Sequence, residues 1–226
     1  MSLNEISTER PARTGRSVAR VRRTQAERTL GTRTRILDAA VEVLNRKGYA
    51  QFRTADVAKA AGVSRGAQLH HFATKEKLVF ATMEHVFNKV KETSERRAAA
   101  LRKGEDPLER IIADAREFFF SDSFFIALDI GTSLSGVRLR RKHMVMVREA
   151  RLLAEQAWLK ALVASGLSQS EADDLLWLTL ALVRGLAVRM LWQNEPKRFD
   201  RLLALWRGIV REHIERTRSN GRHNGR

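Results

Sequence analysis

Residues 54–77, TADVAKAAGVSRGAQLHHFATKEK, contain two short stretches of helix-forming residues separated by a glycine. Thr54 and Ser64 stand where the two stretches begin, and both residue types are common helix N-caps. Gly62 stands at the end of the first stretch, where a tight turn needs a residue that adopts positive φ without steric cost. This spacing predicts a helix-turn-helix, a unit that places its second helix in the major groove of DNA.

The second of these helices supplies side chains suited to reading bases. We expect Arg65, Gln68 and His70 to project outward, because arginine can form two hydrogen bonds with guanine and glutamine can do so with adenine. Gly66 would let the backbone approach the groove. Leu69 has two interpretations, since its spacing suits either the small core between the helices or the surface that faces DNA.

The helix starts in this segment are candidate phosphate sites. Helix N-termini carry partial positive charge and free amide donors, so Thr54 and Ser64 lie where phosphates would bind. Lys75 and Lys77 open the following helix, where they could hold a phosphate without reading sequence.

The charge of the whole chain favours a nucleic-acid partner. Its formal net charge is +16, carried mostly by arginine, whose fork matches phosphates and guanine edges. A soluble basic protein without a specific polyanion is the alternative. The chain has no cysteine, no apolar signal region after its N-terminus and no apolar run near the ~20 residues of a spanning helix. We therefore expect a cytoplasmic protein that does not enter the membrane.

Helical periodicity extends over almost all of the chain from Thr32, and no run of alternating β-branched residues interrupts it. We therefore predict an all-α fold. Helices are expected to begin near residues 32, 54, 64, 74, 107, 138, 168 and 196, with Gly131 and Gly136 breaking the segment before residue 138. Thr74 and Asp106 are expected to cap the helices that follow them, and Ser168 with Glu171 is expected to form a capping box. The last two helices are expected to end at about Gln193 and Thr217.

Composition divides the chain into four predicted regions. They are a disordered basic arm (1–28), a helix-turn-helix DNA-binding domain (29–77), a ligand-binding and dimerisation domain (78–217) and a basic tail (218–226). The arm has few large apolar groups and would either lie along DNA or remain a solvated tail. For the shorter tail we favour the solvated interpretation.

The last two predicted helices suggest a homodimer. Residues 171–193 are apolar on nearly every side, and residues 196–217 add a second apolar stripe. A second subunit would cover the surplus apolar face, whereas the alternative is a helix buried within a monomer. A dimer could read a palindromic site with recognition helices about 34 Å apart.

Aromatic residues concentrate in the helices of residues 107–193 and suggest a pocket for an apolar or aromatic small molecule. Core packing is the competing interpretation of such residues. Asp129 and Arg184 would be the polar anchors of the ligand. The candidate ligand residues are Phe118, Phe124, Phe125, Asp129, Trp158, Trp177 and Arg184.

Catalysis, metal binding and a cofactor are not expected. His70 and His71 are adjacent, so on a helix they point about 100° apart and cannot share a metal ion. The chain lacks the GxSxG, phosphate-loop and HExxH motifs. A sequence-indifferent architectural DNA-binding protein remains a second class, although a base-reading face and a large apolar domain argue against it.

Residues 32–80 resemble the DNA-binding domain of the TetR family of bacterial transcriptional regulators, most closely in SRGAQLHHF and the following KEKL. The resemblance implies a three-helix DNA-binding head, a helical ligand domain, a homodimer formed by the last two helices and repression of transcription. A ligand-independent regulator or an activator stays open. The matching operator contacts are Thr54, Ser64, Arg65, Gln68, His70 and Lys75. Many members carry leucine at the position of Gln68 and tyrosine at that of Leu69, so a tyrosine–phosphate contact is missing here.

Overall fold

The computed structural model describes residues 24–102 and 104–223, and these fold into nine α-helices without a β-strand. The predicted all-α fold is therefore confirmed. The helices are α1 (Gln25–Lys47), α2 (Thr54–Ala60), α3 (Arg65–His71), α4 (Lys75–Ala99), α5 (Pro107–Phe119), α6 (Asp122–Ser133), α7 (Val137–Ala164), α8 (Gln169–Arg189) and α9 (Pro196–His223).

Helices α1 to α3 and the first turns of α4 form the head around one apolar core. Its buried side chains include Ile36, Val43, Phe52, Val57 and Leu78, and Ile130 of α6 also belongs to it. The predicted caps are confirmed at α3 and α4, where the Ser64 and Thr74 hydroxyls accept backbone N–H bonds. The predicted cap at Thr54 is wrong, because Thr54 is already the first residue of α2 and Arg53 precedes it without a side-chain cap.

Helix α1 begins earlier than the sequence pattern predicts. The Thr24 hydroxyl accepts the Glu27 N–H at 3.2 Å, and the Thr24 N–H donates to the Glu27 carboxylate at 2.7 Å. This reciprocal cap starts the helix at Gln25, so residues 25–28 do not belong to a disordered arm. The rest of that predicted arm lies outside the described residues.

Three further boundaries differ from those predicted. Gly131 does not break a helix but lies inside α6. A glycine is needed there because the ring of His143 occupies the space of a side chain: a Cβ at residue 131 would lie 2.7 Å from His143 Nε2. Helix α8 ends at Arg189 rather than at Gln193. Helix α9 continues to His223, so the predicted tail is helical up to that residue, and residues 224–226 lie outside the described part.

The second core joins α5, α7, α8 and α9. Its most buried side chains are Leu108, Ile111, Leu162, Ala172, Leu176, Val183 and Leu203. The start of α5 is capped as predicted, with Asp106 accepting the Leu108 N–H and Pro107 in the first turn. The predicted Ser168–Glu171 capping box at α8 is also confirmed. Helix α4 extends from the head into the second domain and is therefore shared by both parts.

The inner face of α9 is tied to its own subunit by polar contacts. The Trp206 indole N–H donates to the Thr179 hydroxyl at 3.0 Å, and Arg207 pairs with Glu109 at 2.7 Å. The opposite face of α9 leaves Leu205 61% exposed. None of the helices in the described part of the chain is long and apolar enough to cross a membrane.

Candidate DNA interface and ligand cavity

The recognition helix α3 presents one exposed face. Arg65, Gly66, Leu69 and His70 are exposed along it, and the capping hydroxyl of Ser64 lies at its start. Such a face offers a hydrogen-bonding arginine, a glycine that permits close backbone approach and an apolar group able to contact a thymine methyl. The structure therefore brings most of the predicted DNA-reading side chains onto one surface.

Gln68 does not belong to this surface, so its predicted outward position is wrong. It is 0% exposed, and its amide Nε2 donates to the Phe72 carbonyl at 3.0 Å. Its Oε1 has no hydrogen-bond partner in the described structure. Leu69, by contrast, is 41% exposed. The helical period directs residue 68 into the head core and residue 69 outward, so the polar side chain is buried and the apolar one is exposed.

Replacing Gln68 by leucine is expected to stabilise the protein by about 1 kcal/mol. Removal of a buried acceptor that has no partner and burial of an apolar side chain together exceed the loss of the Nε2 hydrogen bond to the Phe72 carbonyl. Urea unfolding at fixed protein concentration measures this change. Gln51→Leu is the matched control, since Gln51 is an exposed glutamine of the same head. A Gln68→Leu protein no more stable than the control would contradict the buried placement.

Lys75 is also directed differently from expectation. Its ammonium donates to the Tyr49 carbonyl at 3.0 Å and lies 4.4 Å from the centre of the Tyr49 ring. Burial lowers the pKa of Lys75 from its ordinary value. The side chain therefore holds the turn between α1 and α2 rather than standing free for a phosphate, whereas Lys77, Arg53 and Arg65 are exposed and form no ion pair within the described residues.

A cavity of about 230 Å³ lies in the second domain, enclosed by α4 to α8. Aromatic side chains form much of its wall, and the rings of Phe119 and Phe124 meet edge to face at 5.1 Å. Four of the seven predicted ligand residues line it: Phe118, Phe124, Trp158 and Arg184. The structure thus places the aromatic cluster around an open volume as well as in the core.

The other three predicted ligand residues do not line this cavity, and each has another environment. Phe125 packs against the second core at 5.4 Å from the Phe124 ring. Asp129 accepts the Tyr49 N–H at 2.7 Å. Trp177 is 53% exposed, with the Arg151 guanidinium 4.9 Å from its ring centre. The predicted ligand-anchor role of Asp129 is therefore wrong for this cavity, because its carboxylate contacts the head.

Sequence reasoning missed the polar groups of the cavity. His143, Arg151 and Glu155 line it from one face of α7, where residues recur every four positions. Burial raises the pKa of Glu155, although Arg151 Nε lies 2.6 Å from its carboxylate and opposes the shift. Burial lowers the pKa of His143, whose Nδ1 has no hydrogen-bond partner. The four-residue spacing in α7 was the signal that could have identified them.

One wall of the cavity is fixed by Asp114 of α5. Its carboxylate accepts the Trp158 indole N–H at 3.0 Å and the Ser94 hydroxyl at 2.6 Å. Its other oxygen pairs with Arg97 at 2.7 Å, and this hydrogen bond raises the pKa of Arg97. Asp114 therefore joins α4, α5 and α7, and it satisfies Trp158 from within the protein.

Helix α6 connects the cavity with the DNA-binding head. Its Phe124 and Leu128 line the cavity. From the same helix, Asp129 binds the Tyr49 N–H, and Asp122 accepts the Asn45 amide at 2.7 Å. A movement of α6 would consequently act on the end of α1 and on the turn that follows it.

Comparisons with known proteins place the chain in a family. Residues 36–82 match the family described as "Bacterial regulatory proteins, tetR family". The chain is 46% identical over 192 residues to the HTH-type transcriptional regulator CymR of Pseudomonas putida, covering 84% of this chain and 95% of that relative. The chain is also 26% identical over 191 residues to the HTH-type transcriptional regulator BetI of Rhizobium meliloti (strain 1021), covering 82% of this chain and 89% of that relative.

The fold is similar to that of solved regulators. The crystal structure of a transcriptional regulator from Rhodococcus sp. Rha1 superposes with a TM-score of 0.63 at 20% identity, covering 80% of this chain and 96% of that one. These relatives are transcriptional regulators and not enzymes. Together with the helix-turn-helix and its exposed recognition face, they show that the chain is a DNA-binding transcriptional regulator of the TetR family.

Proposed function

We propose that this regulator is a repressor, which binds a palindromic operator as a homodimer and is released by a small apolar or aromatic molecule. The observation that carries the proposal is helix α6. With Phe124 and Leu128 it lines an aromatic cavity, and with Asp122 and Asp129 it binds the head that reads DNA.

Exposed apolar side chains on α8 and α9 support the dimer. Leu178 is 58% exposed on α8, and Leu205 and Ile209 are exposed on the outer face of α9. Gly185 and Gly208 lie on the same helices with open space where a Cβ would stand, so another helix could approach closely. Because the inner face of α9 is already fixed by Trp206 and Arg207, a second subunit is the natural cover for the outer face.

The size and lining of the cavity support a small effector. About 230 Å³ accommodates a compact molecule, and the aromatic walls favour an apolar or aromatic one. Arg184 lines the cavity and forms no ion pair among the described residues, so it could hold a polar group of the effector. Another solved regulator of similar fold, a putative one from Saccharomonospora viridis, was crystallised in complex with choline.

Release follows if the effector fits only one of two arrangements of α6. A ligand shifts a conformational equilibrium only by the difference between its affinities for the two states. An effector that moves Phe124 and Leu128 would also move the Asp129–Tyr49 and Asp122–Asn45 contacts. The spacing of the two recognition helices would then no longer match one helical turn of DNA.

Affinity selection from random duplex DNA at physiological salt tests this function. Recovery of one palindrome would support a dimeric, sequence-specific regulator, and small aromatic compounds could then be screened for displacement of that palindrome. Recovery of unrelated sequences with nearly equal affinity would favour the architectural alternative. A specific site that no compound in a broad aromatic panel displaces would favour a ligand-independent regulator.

Arg65→Ala is expected to relax the preference at one base position of each half-site, at a cost of about 1–3 kcal/mol for the preferred sequence. Arg65 is exposed at the start of α3, where a guanine edge would lie. Lys77→Ala is the comparison, because a phosphate contact should weaken binding to all sequences about equally. Equal losses on all sequences for both variants would show that Arg65 contacts only the backbone.

A further inference from the structure

The first half of α7 carries a basic surface outside the helix-turn-helix. Between residues 137 and 148 there are five lysines and arginines and no acidic residue. Three of them line one groove, and we call these the α7 basic face: Arg138, Arg141 and Lys142. Arg140 and Arg148 line an adjoining groove of the same helix. All five are exposed, and within the described residues none of them forms an ion pair. The Lys142 ammonium lies 4.4 Å from the centre of the Phe80 ring, so this part of α7 packs against the first turns of α4.

The α7 basic face lies level with the DNA-proximal end of α4. Lys142 meets Phe80, and further along the two helices Val147 and Phe87 line the same cavity. Residue numbers increase together along both helices, so α4 and α7 run in the same direction with an offset of about 60 residues. Arg138 consequently stands beside the first turn of α4, and a surface groove joins it to Lys77.

The first turn of α4 is itself close to the DNA-reading surface. Helix α3 ends at His71 and α4 begins at Lys75, so only three residues separate them. Arginine side chains that start at this level can extend toward phosphates beside the half-site. Three acidic residues, Glu76, Glu84 and Glu149, border the same groove. None comes within ion-pair distance of the basic face, and with Lys77 the groove carries four cations against these three carboxylates.

We propose that the α7 basic face binds the phosphate backbone of DNA beside the half-site that α3 reads. Its partner must be anionic, because exposed cations without ion-pair partners attract anions and repel other basic surfaces. That excludes the chain's own arginine-rich N-terminal segment and a symmetric contact with a second copy of the face. DNA is the polyanion that this regulator already places next to the first turn of α4. The added contacts provide affinity and register without reading sequence.

Salt dependence of operator binding tests the proposal. Each phosphate contact contributes about 0.9 to the slope of log affinity against log salt concentration. The double variant Arg138→Gln/Arg141→Gln is therefore expected to reduce the magnitude of this slope by about 1–2 per subunit. It should weaken operator and random duplex by the same factor. Arg138→Lys/Arg141→Lys should restore the slope, because phosphate binding needs charge rather than the arginine fork.

The matched control is Arg102→Gln/Lys160→Gln, which removes the same charge from exposed positions near the far ends of α4 and α7. It should leave the slope nearly unchanged. Binding of the selected operator by the wild-type protein shows separately that the DNA-reading head works. A wild-type slope in the Arg138/Arg141 variant would overturn the proposal. An equal loss in the control would do so too, since net charge alone would then be responsible. Loss of binding to phosphatidylserine vesicles with an intact DNA slope would assign the face to membranes instead.

Discussion

Leu205→Glu is expected to yield a monomeric protein with operator affinity at least about 100-fold below that of the wild type. Leu205 is 61% exposed on the outer face of α9, so the substitution should leave the fold of the subunit intact. In the proposed dimer the same side chain meets its symmetry-related surface. An added carboxylate there would be buried without a partner, which costs several kcal/mol.

The loss of affinity follows from the loss of linkage between two heads. One head alone contacts half of a palindrome, and the second head of a dimer binds at a high effective concentration. Sedimentation velocity gives the oligomeric state, and titration of the selected operator gives the affinity. Leu178→Glu on α8 should have the same effect from the neighbouring helix.

Gln156→Glu is the control for the dimer variants, because it adds the same charge at an exposed position of α7, outside α8 and α9. It should remain dimeric and bind the operator normally. A Leu205→Glu protein that stays dimeric, together with a dimeric Leu178→Glu protein, would refute the α8–α9 interface. A monomer that still binds a full palindrome with wild-type affinity would refute the role of the dimer in DNA reading.

The sequence predicted the helices well where local chemistry decides their ends. Ser64, Thr74, Asp106 and Ser168 all cap helices as their residue types and spacings indicate. The prediction was wrong at Gly131 because glycine has two uses, ending a helix or permitting close approach. Only the position of the His143 ring shows that the second use applies. Such a contact joins α6 to α7 and leaves no mark in the local sequence.

The recognition helix shows why residue type is a weak guide to orientation in a short helix. Glutamine and leucine are adjacent at residues 68 and 69, and polarity suggested that Gln68 faces DNA. In the structure Gln68 is buried and Leu69 is exposed, because the packing of the whole head orients the seven-residue α3. The resemblance to the TetR family implies the observed arrangement, because many members carry leucine at the position of Gln68. In this chain a glutamine instead occupies that buried position, and Leu69 lies on the exposed face.

The cavity could be predicted in its aromatic content but not in its polar residues. Phe118, Phe124 and Trp158 were identified by residue type alone. Asp129 and Trp177 were assigned to it on the same grounds, yet the first contacts Tyr49 and the second is exposed on α8. Which face of a helix meets a cavity depends on the packing of several helices at once. Composition does not contain that information.

Asp114→Ala is expected to lower the free energy of unfolding by about 3 kcal/mol or more. Its carboxylate accepts hydrogen bonds from Ser94, Arg97 and Trp158. Hydrogen bonds to a charged group contribute about 1.5–3 kcal/mol each, and their donors lose a partner when the acceptor is removed. The buried Trp158 N–H has no other partner among the described residues, so its loss adds a desolvation cost.

Glu117→Ala provides the matched comparison, because Glu117 pairs with the same Arg97 at 2.6 Å but is 66% exposed. A surface ion pair contributes about 0–1 kcal/mol, so this variant should remain close to wild-type stability. Urea unfolding at one fixed protein concentration measures both variants, since the proposed dimerisation would make stability depend on concentration. Equal stability of the two variants would show that Asp114 is no more important than a surface carboxylate. A selective loss in Asp114→Ala would instead establish that α4, α5 and α7 are joined at this carboxylate, which forms one wall of the cavity.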